Sequence, residues 1–326
     1  MSARLPGVAV AMCTYNGAAY LEAQFASIFA QTRLPDEVVV ADDGSTDDTT
    51  QLLARLSAAA PMPVRVLAST NRLGVTANFE RALAATRHEL VVLSDQDDVW
   101  DADRVAISIA TLESEPALLL VHTDARLVDR GGAPLGSNLL DALRVTGDER
   151  RDVASPPSAF RAHLRRNLAT GATATIRASL LDLAGPFPAS WVHDEWLTII
   201  AASLGRARLI DRVTIDYRQH GSNEIGVALG GVRHRWGRIL EPRGDRYPRL
   251  AARDAILVER LAMIDAPPAV QHLAHRKAAF DRARATLPRI RLARVPSVVA
   301  GLARGDYRDL SSQRQLDAVR DLLQPA

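Results

Sequence analysis

Cysteine is almost absent. Cys13 stands alone among 326 residues, which excludes an intramolecular disulfide and a Cys-rich metal site. Such usage fits a reducing compartment, so a cytoplasmic location is the expectation. Long apolar runs are missing too: no stretch approaches the roughly 20 residues that a bilayer-spanning helix needs. Met1 to Val10 has no basic region leading into an apolar one, so no conventional export signal is expected. Two glycine signatures are also lacking. No G-x-G-x-x-G follows the first apolar run and no Gly-x4-Gly-Lys-Ser/Thr occurs, which argues against dinucleotide and phosphate-loop chemistry.

What is present describes an ordinary globular protein, 47% apolar and 24% charged. The formal net charge of +2 conceals a division. Residues 227–326 hold 19 basic against 10 acidic side chains, and residues 1–226 hold 21 against 28. An acidic body suits a site built from carboxylates, while an Arg-rich tail suits anionic lipid, another subunit or nucleic acid. The length suggests one catalytic domain of about 220 to 250 residues with an appended element. The expected division is a catalytic domain over 1–226 and an Arg-rich helical extension over 227–326.

Apolar runs at Val8–Met12, Glu37–Ala41, Val64–Ala68 and Leu90–Ser94 each read as a strand. Each is followed by a polar turn and then by helical spacing, at Ala18–Ala30, Asp48–Ala60, Gly74–Thr86 and Asp101–Ser114. Four strand–helix pairs predict an α/β fold with a mostly parallel sheet covered on both faces. In such sheets ligands sit beyond the carboxyl ends of the strands. Those ends carry Thr14-Tyr15-Asn16, Asp42-Asp43-Gly44-Ser45, Asn71-Arg72 and Asp95-Gln96-Asp97-Asp98. Past residue 115 the periodicity weakens, and Asp129–Pro157 reads as an insertion or loop region. Strands return at Thr173–Arg177 and Val213–Tyr217, with a helix at Asp194–Leu204 between them. Beyond about Gly226 the chain reads as helices broken by prolines.

Three carboxylates within Asp95–Asp98 repel one another unless a cation or solvent separates them, and a hard divalent ion completed by substrate phosphates is the natural neutraliser. A solvated loop capping the next helix is the alternative. Asp42-Asp43-Gly44-Ser45 can receive hydrogen bonds from a base or ribose, or be only a capped turn. Asp194, at a helix start between Trp191 and Trp196, reads as a general base for a hydroxyl with flat apolar surfaces beside it, or as a plain cap between core tryptophans. His220 reads as a ligand or as a satisfied surface or core histidine.

Taken in order, these segments resemble the family 2 glycosyltransferases of the GT-A fold, particularly the bacterial branch of rhamnosyltransferases of cell-surface polysaccharides. The likeness covers roughly residues 6–226. It is carried by Val10–Gly17, Gln31-Thr32, Val40–Thr49, Asn71–Gly74 with Asn78, Leu93–Trp100, Thr170–Thr173, His193–Leu197 and Tyr217–Asn223. The resemblance implies a GT-A type nucleotide-sugar-binding fold with a C-terminal helical extension. It implies that Thr14, Tyr15, Asn16, Arg72 and Asp95 lie on the donor nucleotide, with Asp43 at the base. Asp97, with His220, is implied at a Mg2+ or Mn2+ ion bridging the donor phosphates. Asp194 becomes the catalytic base, and Trp191, Trp196 and Gly171 flank sugar or acceptor. Two departures stand out: Glu195 replaces a tryptophan common in the rhamnosyl branch, and the tail beyond 226 matches nothing.

The implied reaction is an inverting transfer from a dTDP- or UDP-linked sugar, with rhamnose as first guess, to a hydroxyl of a glycan or lipid-linked acceptor. Nucleic acid is not an expected partner, and the tail is the expected peripheral membrane contact. A nucleotidyltransferase is a rival reading, but it would use a basic Gly-rich phosphate loop that the N-terminus lacks. A non-catalytic sugar-nucleotide-binding protein is another, which the intact Asp43, Asp97 and Asp194 oppose.

Overall fold

The computed structural model describes residues 5–220 and 242–325. These fall into two compact units, one within Met1–Ala159 and Leu168–Val227, the other within Phe160–Asn167 and Ala228–Ala326. The boundary expected near Gly226 lies outside the described residues.

The first unit begins β1 (Leu5–Thr14), α1 (Leu21–Phe29), β2 (Glu37–Asp42), α2 (Thr49–Ala59), β3 (Val64–Leu67), α3 (Val75–Ala85) and β4 (His88–Ser94). It continues through β5 (Val99–Trp100), α4 (Arg104–Ser114), β6 (Leu120–Val128), β7 (Pro134–Asn138), α5 (Leu139–Ala142), α6 (Gly147–Ala154) and the start of α7 (Pro156–Arg165). It closes with β8 (Ala174–Arg177), α8 (Leu180–Ala184), α9 (His193–Ser203) and β9 (Ala207–Arg218).

Among the described residues the strands form one sheet in the order β3-β2-β1-β4-β8-β6-β9-β5, with β7 added beside β6. The predicted parallel part is β3-β2-β1-β4. Beyond it the sheet is mixed: β8 runs antiparallel to both β4 and β6, β6 and β9 are parallel, and β5 is antiparallel to β9. The central strands are apolar throughout because both faces are covered. Val8, Val10 and Met12 pack with Phe25 and Ile28 of α1, Leu53 of α2 and Val105 of α4. The alternate residues Ala9 and Ala11 face the other way, where α3 crosses β1 and β2 and α9 packs on α3.

The stretch Asp129–Pro157, expected to be an insertion or loop region, is instead built from β7, α5, α6 and the first turn of α7. Thr146 and Glu149 form a reciprocal capping box at the start of α6. Arg150 then ties the segment down through Asp141 at 2.8 Å and Asp211 at 2.7 Å. The strand β6 had no counterpart in the reading. Its buried polar residues His122, Thr123 and Asp124 interrupt the apolar run that announces a strand.

The second unit contains, after part of α7, α10 (Arg246–Met263), α11 (Pro268–Ala285), α12 (Val295–Ala303), α13 (Asp306–Leu310) and α14 (Gln315–Leu323). Its prolines start helices more than they break them. Pro268 and Pro296 sit in first turns, and Pro248 lies at the third position of α10, where no intrahelical N–H partner is lost. The spacing over 300–310 is interrupted at Gly305, whose φ of 75° ends α12 before α13 begins.

Candidate active site

Thr14 ends β1, buried, and its hydroxyl donates to Asp42 Oδ2 at 2.8 Å. Asp42 also accepts from the Ser45 hydroxyl at 2.6 Å and from the Ser45 and Gly44 N–H groups at 2.9 and 3.2 Å. Its acceptor capacity is thereby spent on shaping the turn. Asp43 faces the other way and takes the Leu73 and Gly74 N–H groups at 2.7 and 2.9 Å, so it fixes the loop after β3. Gly74 has φ of 83°, a conformation open to glycine and strained for other residues. In that loop the Arg72 guanidinium lies 4.1 Å above the Tyr15 ring. Asn16 accepts from Thr46 N at 2.8 Å. The Gln96 amide exchanges two bonds with the Tyr15 backbone, at 2.9 and 3.1 Å, so the turns after β1 and β4 move together. Cys13 sits just below. Burial, then the charge of Asp95, pushes its thiol up.

The acidic turn follows β4. Burial raises the Asp95 carboxyl to about 7, helped by the charges of Asp97 and then Asp194 and opposed by Arg104. Asp98 is buried, accepts from Arg218 N at 3.2 Å, and has an Oδ2 with no hydrogen-bond partner among the described residues. Asp97 meets His220 across 123 positions of sequence, with Oδ2 to Nε2 at 2.7 Å. The His220 ring stacks on Tyr20 with centroids 4.7 Å apart. Arg218 donates from Nε to the Asp97 carbonyl at 2.8 Å, so the end of β9 grips the turn from below. Sequence reasoning passed over Arg104. It is fully buried, lies 3.9 Å over the Trp100 ring and donates to Leu93 O at 2.9 Å. Burial lowers it to about 9, so it stays charged at neutral pH and faces Asp98 and Asp95. The signal was faint: an arginine at the start of an amphipathic helix reads as surface.

Asp194 reaches this edge because β8 runs backwards. Val92 pairs with Thr175, so the start of β8 lies beside the end of β4 and brings Gly171 next to the acidic turn. Gly171 N donates to Asp194 Oδ2 at 2.9 Å, and Glu195 N to Oδ1 at 2.6 Å. Burial raises the carboxyl to about 6 against the pull of these two donors. His193, beside it, stacks on Phe79 at 3.8 Å, and burial lowers it to about 3, so it is neutral packing. Trp196 corrects an expectation. It is fully exposed to nothing but protein, at 0% relative exposure, and its indole N–H donates to Ala184 O at 2.7 Å, so it has no face for a sugar or acceptor. Trp191, 5.3 Å from it, keeps only a narrow edge at 8%.

Residues 9–177 match the glycosyl transferase family 2 domain, more than half of the chain. The chain belongs to glycosyl transferase family 2. It is a glycosyltransferase that uses a nucleotide sugar. This family 2 chain is 26% identical over 242 residues to the dTDP-rhamnosyl transferase RfbG of Shigella flexneri, covering 70% of this chain and 81% of that protein. An uncharacterized glycosyltransferase of Nostoc sp. is 25% identical over 228 residues, 66% of each chain. Among solved structures, Staphylococcus aureus TarS 1-349 in complex with UDP-GlcNAc superposes with a TM-score of 0.54 at 18% identity, over 96% of this chain and 89% of that one. The mannosyltransferase PcManGT of Pyrobaculum calidifontis, in complex with GDP-Man and Mn2+, gives 0.51 at 24% identity over 97% and 86%. The architecture is therefore of the GT-A type, with C-terminal helices.

Proposed function

We propose that this glycosyltransferase moves a sugar, with rhamnose from dTDP-rhamnose as first choice, onto a hydroxyl of a cell-surface glycan or lipid-linked acceptor, by inverting single displacement within residues 1–226. The observation that carries the reading is the meeting of Asp97, His220, Asp95 and Asp194 at the end of β4, where the charge of Asp194 is felt at Asp95. Tyr15, Asn16, Asp43 and Arg72 border the nucleotide side of that edge, and Asp194 with Gly171 borders the acceptor side.

The chemistry assigned to the chain's own residues is short. The Asp194 carboxylate takes the proton of the acceptor hydroxyl while its oxygen attacks the anomeric carbon and the bond to the diphosphate breaks. No covalent intermediate forms. Gly171 and Glu195 hold the base through their N–H groups, and Asp43 fixes the loop that carries Arg72. The donor set fits a Mg2+ or Mn2+ ion: three carboxylates crowd one turn, and an oxygen of Asp98 is buried without a partner. Asp97 and His220 would hold such an ion. Bound there, the metal would neutralise the departing nucleoside diphosphate.

Donor choice rests on the Shigella relative, and a donor panel tests it. Product should form from dTDP-rhamnose. Product from a UDP-hexose or UDP-N-acetylhexosamine alone would leave the fold and chemistry standing and remove rhamnose. A second test targets the support of the base. A Cβ at Gly171 would lie 2.6 Å from His193 Nε2, so Gly171→Ala must move the ring or the backbone that donates to Asp194. Transfer is expected to fall by about tenfold or more, on the scale that sub-ångström misplacement costs, with calorimetric donor affinity nearly unchanged. Equal losses in both would place Gly171 on the donor instead. A cytoplasmic location and peripheral membrane contact through the C-terminal helices complete the reading. Among the described residues no helix is long and apolar enough to cross a membrane.

A further inference from the structure

The second unit is built with its charges inside and part of its apolar surface outside. In α14 the charged residues Asp317, Arg320 and Asp321 are all buried, whereas Leu316, Val319 and Leu323 stand 45%, 41% and 46% exposed. That is the reverse of a soluble amphipathic helix. Several of the interior charges are tied together. Arg284 donates to Asp321 from Nε at 2.7 Å and to Asp281 at 3.3 Å, and Tyr307 donates to Asp321 at 2.8 Å. On α12, which packs against α14, Val298 and Gly301 face inward while Val295, Val299 and Leu302 form an exposed stripe at i, i+4 and i+7. Ile290 and Leu292, just before it, are 71% and 83% exposed. Buried Arg294 fixes them there, donating to Pro288 O at 2.6 Å and to Gln324 O at 2.7 Å, so the segment is pinned with its apolar side chains outward.

We infer that this inverted face, formed by 290–302 together with α14, is a monotopic docking surface that lies in the interface of an anionic lipid bilayer. The inference deepens the peripheral contact proposed above and relocates it from the general Arg content of the tail to one apolar surface. Charge selects the occupant. Thr286–Gly305 holds four arginines and no acidic residue, Arg289 and Arg291 are exposed beside the apolar stripe, and exposed Arg304 donates to Asp306 at 2.8 Å. Lipid phosphates complement such a fringe. A second copy joined face to face would instead set arginine against arginine. The helices are too short to span, so the surface lies on the membrane with its apolar side chains below the headgroups.

Sedimentation of the full-length chain with vesicles tests this without reference to sugar transfer, so failure of the donor panel and failure of this inference are separate results. The chain should bind phosphatidylglycerol vesicles at low salt and phosphatidylcholine vesicles weakly. Val299→Asp and Leu292→Asp, both at exposed positions and therefore expected to keep the native melting temperature, should each lower partitioning by about tenfold or more. Arg289→Gln and Arg291→Gln should each lower it by about fivefold, an effect that vanishes at high salt. Three results overturn the inference: no binding to anionic vesicles at low salt; binding lost in the arginine variants but kept in the aspartate variants, which means adsorption without insertion; or a lipid-free dimer abolished by Val299→Asp, which gives the face to a second copy.

Discussion

Asp194→Asn is expected to keep donor affinity and to lose transfer by at least about a hundredfold, the usual contribution of a positioned general base. The replacement preserves shape but removes the proton acceptor. It also places an amide NH2 against the N–H of Gly171 or Glu195, both of which now donate to the carboxylate, so a stability cost of about 1–3 kcal/mol accompanies it. Melting curves separate that cost from the catalytic loss. The wild-type pH profile supplies the matching signature. With burial holding the carboxyl at about 6, the basic form fills as pH rises through that value, so kcat/KM should climb with pH and level above it. The Asn variant should lack that rise. Near-normal turnover in the variant would reduce Asp194 to a helix-start acceptor and make Glu195 the next residue to replace.

Asp97→Ala is expected to abolish metal-dependent donor binding while leaving the fold intact. The side chain is 13% exposed and lies against His220, and its removal relieves repulsion on Asp95 and Asp98. Calorimetry with UDP or dTDP, with and without Mn2+, reads the effect. The gain in affinity that Mn2+ gives the wild type should disappear in Asp97→Ala. His220→Ala should lower it by about 10-fold or more, through loss of one of the two side chains that would hold the ion. An unchanged Mn2+ dependence in Asp97→Ala removes that residue from metal binding.

The part of the fold legible in the sequence is the part where local pattern and tertiary burial agree. In β1, β2 and β4 the strand holds a continuous apolar run, β3 is broken only by Arg65, and polar turns precede the helices, so spacing alone finds them within a few residues. The far side of the sheet was harder to read for a physical reason. In β6 the buried residues include His122, Thr123 and Asp124, and Asp124 is satisfied in part by accepting from Leu140 N at 3.0 Å, a contact no local pattern announces. The helix α6 was within reach, because Thr146-x-x-Glu149 carries the capping-box spacing. In the site, the pairing of Asp97 with His220 was expected from family resemblance, since nothing in the spacing of residues 123 apart points to contact. Arg104 and the core burial of Trp196 were not legible: a buried cation and a ligand platform differ from a surface cation and a core ring only in what surrounds them. The inverted face of the second unit was hidden for the same reason. Composition counts arginines and leucines alike wherever they point.

The reversed direction of β8 has a consequence for how this chain tolerates change in length. The strands β1, β2 and β4 deliver their residues to the edge that carries Asp95 and Asp97 as they leave the sheet, so an insertion just after any of them lands at that edge. β8 delivers Gly171 as it arrives. The span between the end of β6 and residue 170 thus arrives at that edge where the others leave it, and the pairing of Val92 with Thr175 sets where Gly171 and its hydrogen bond to Asp194 come to rest. The register of Val92 against Thr175 acts as the stop that fixes the spacing of Gly171 and Asp194.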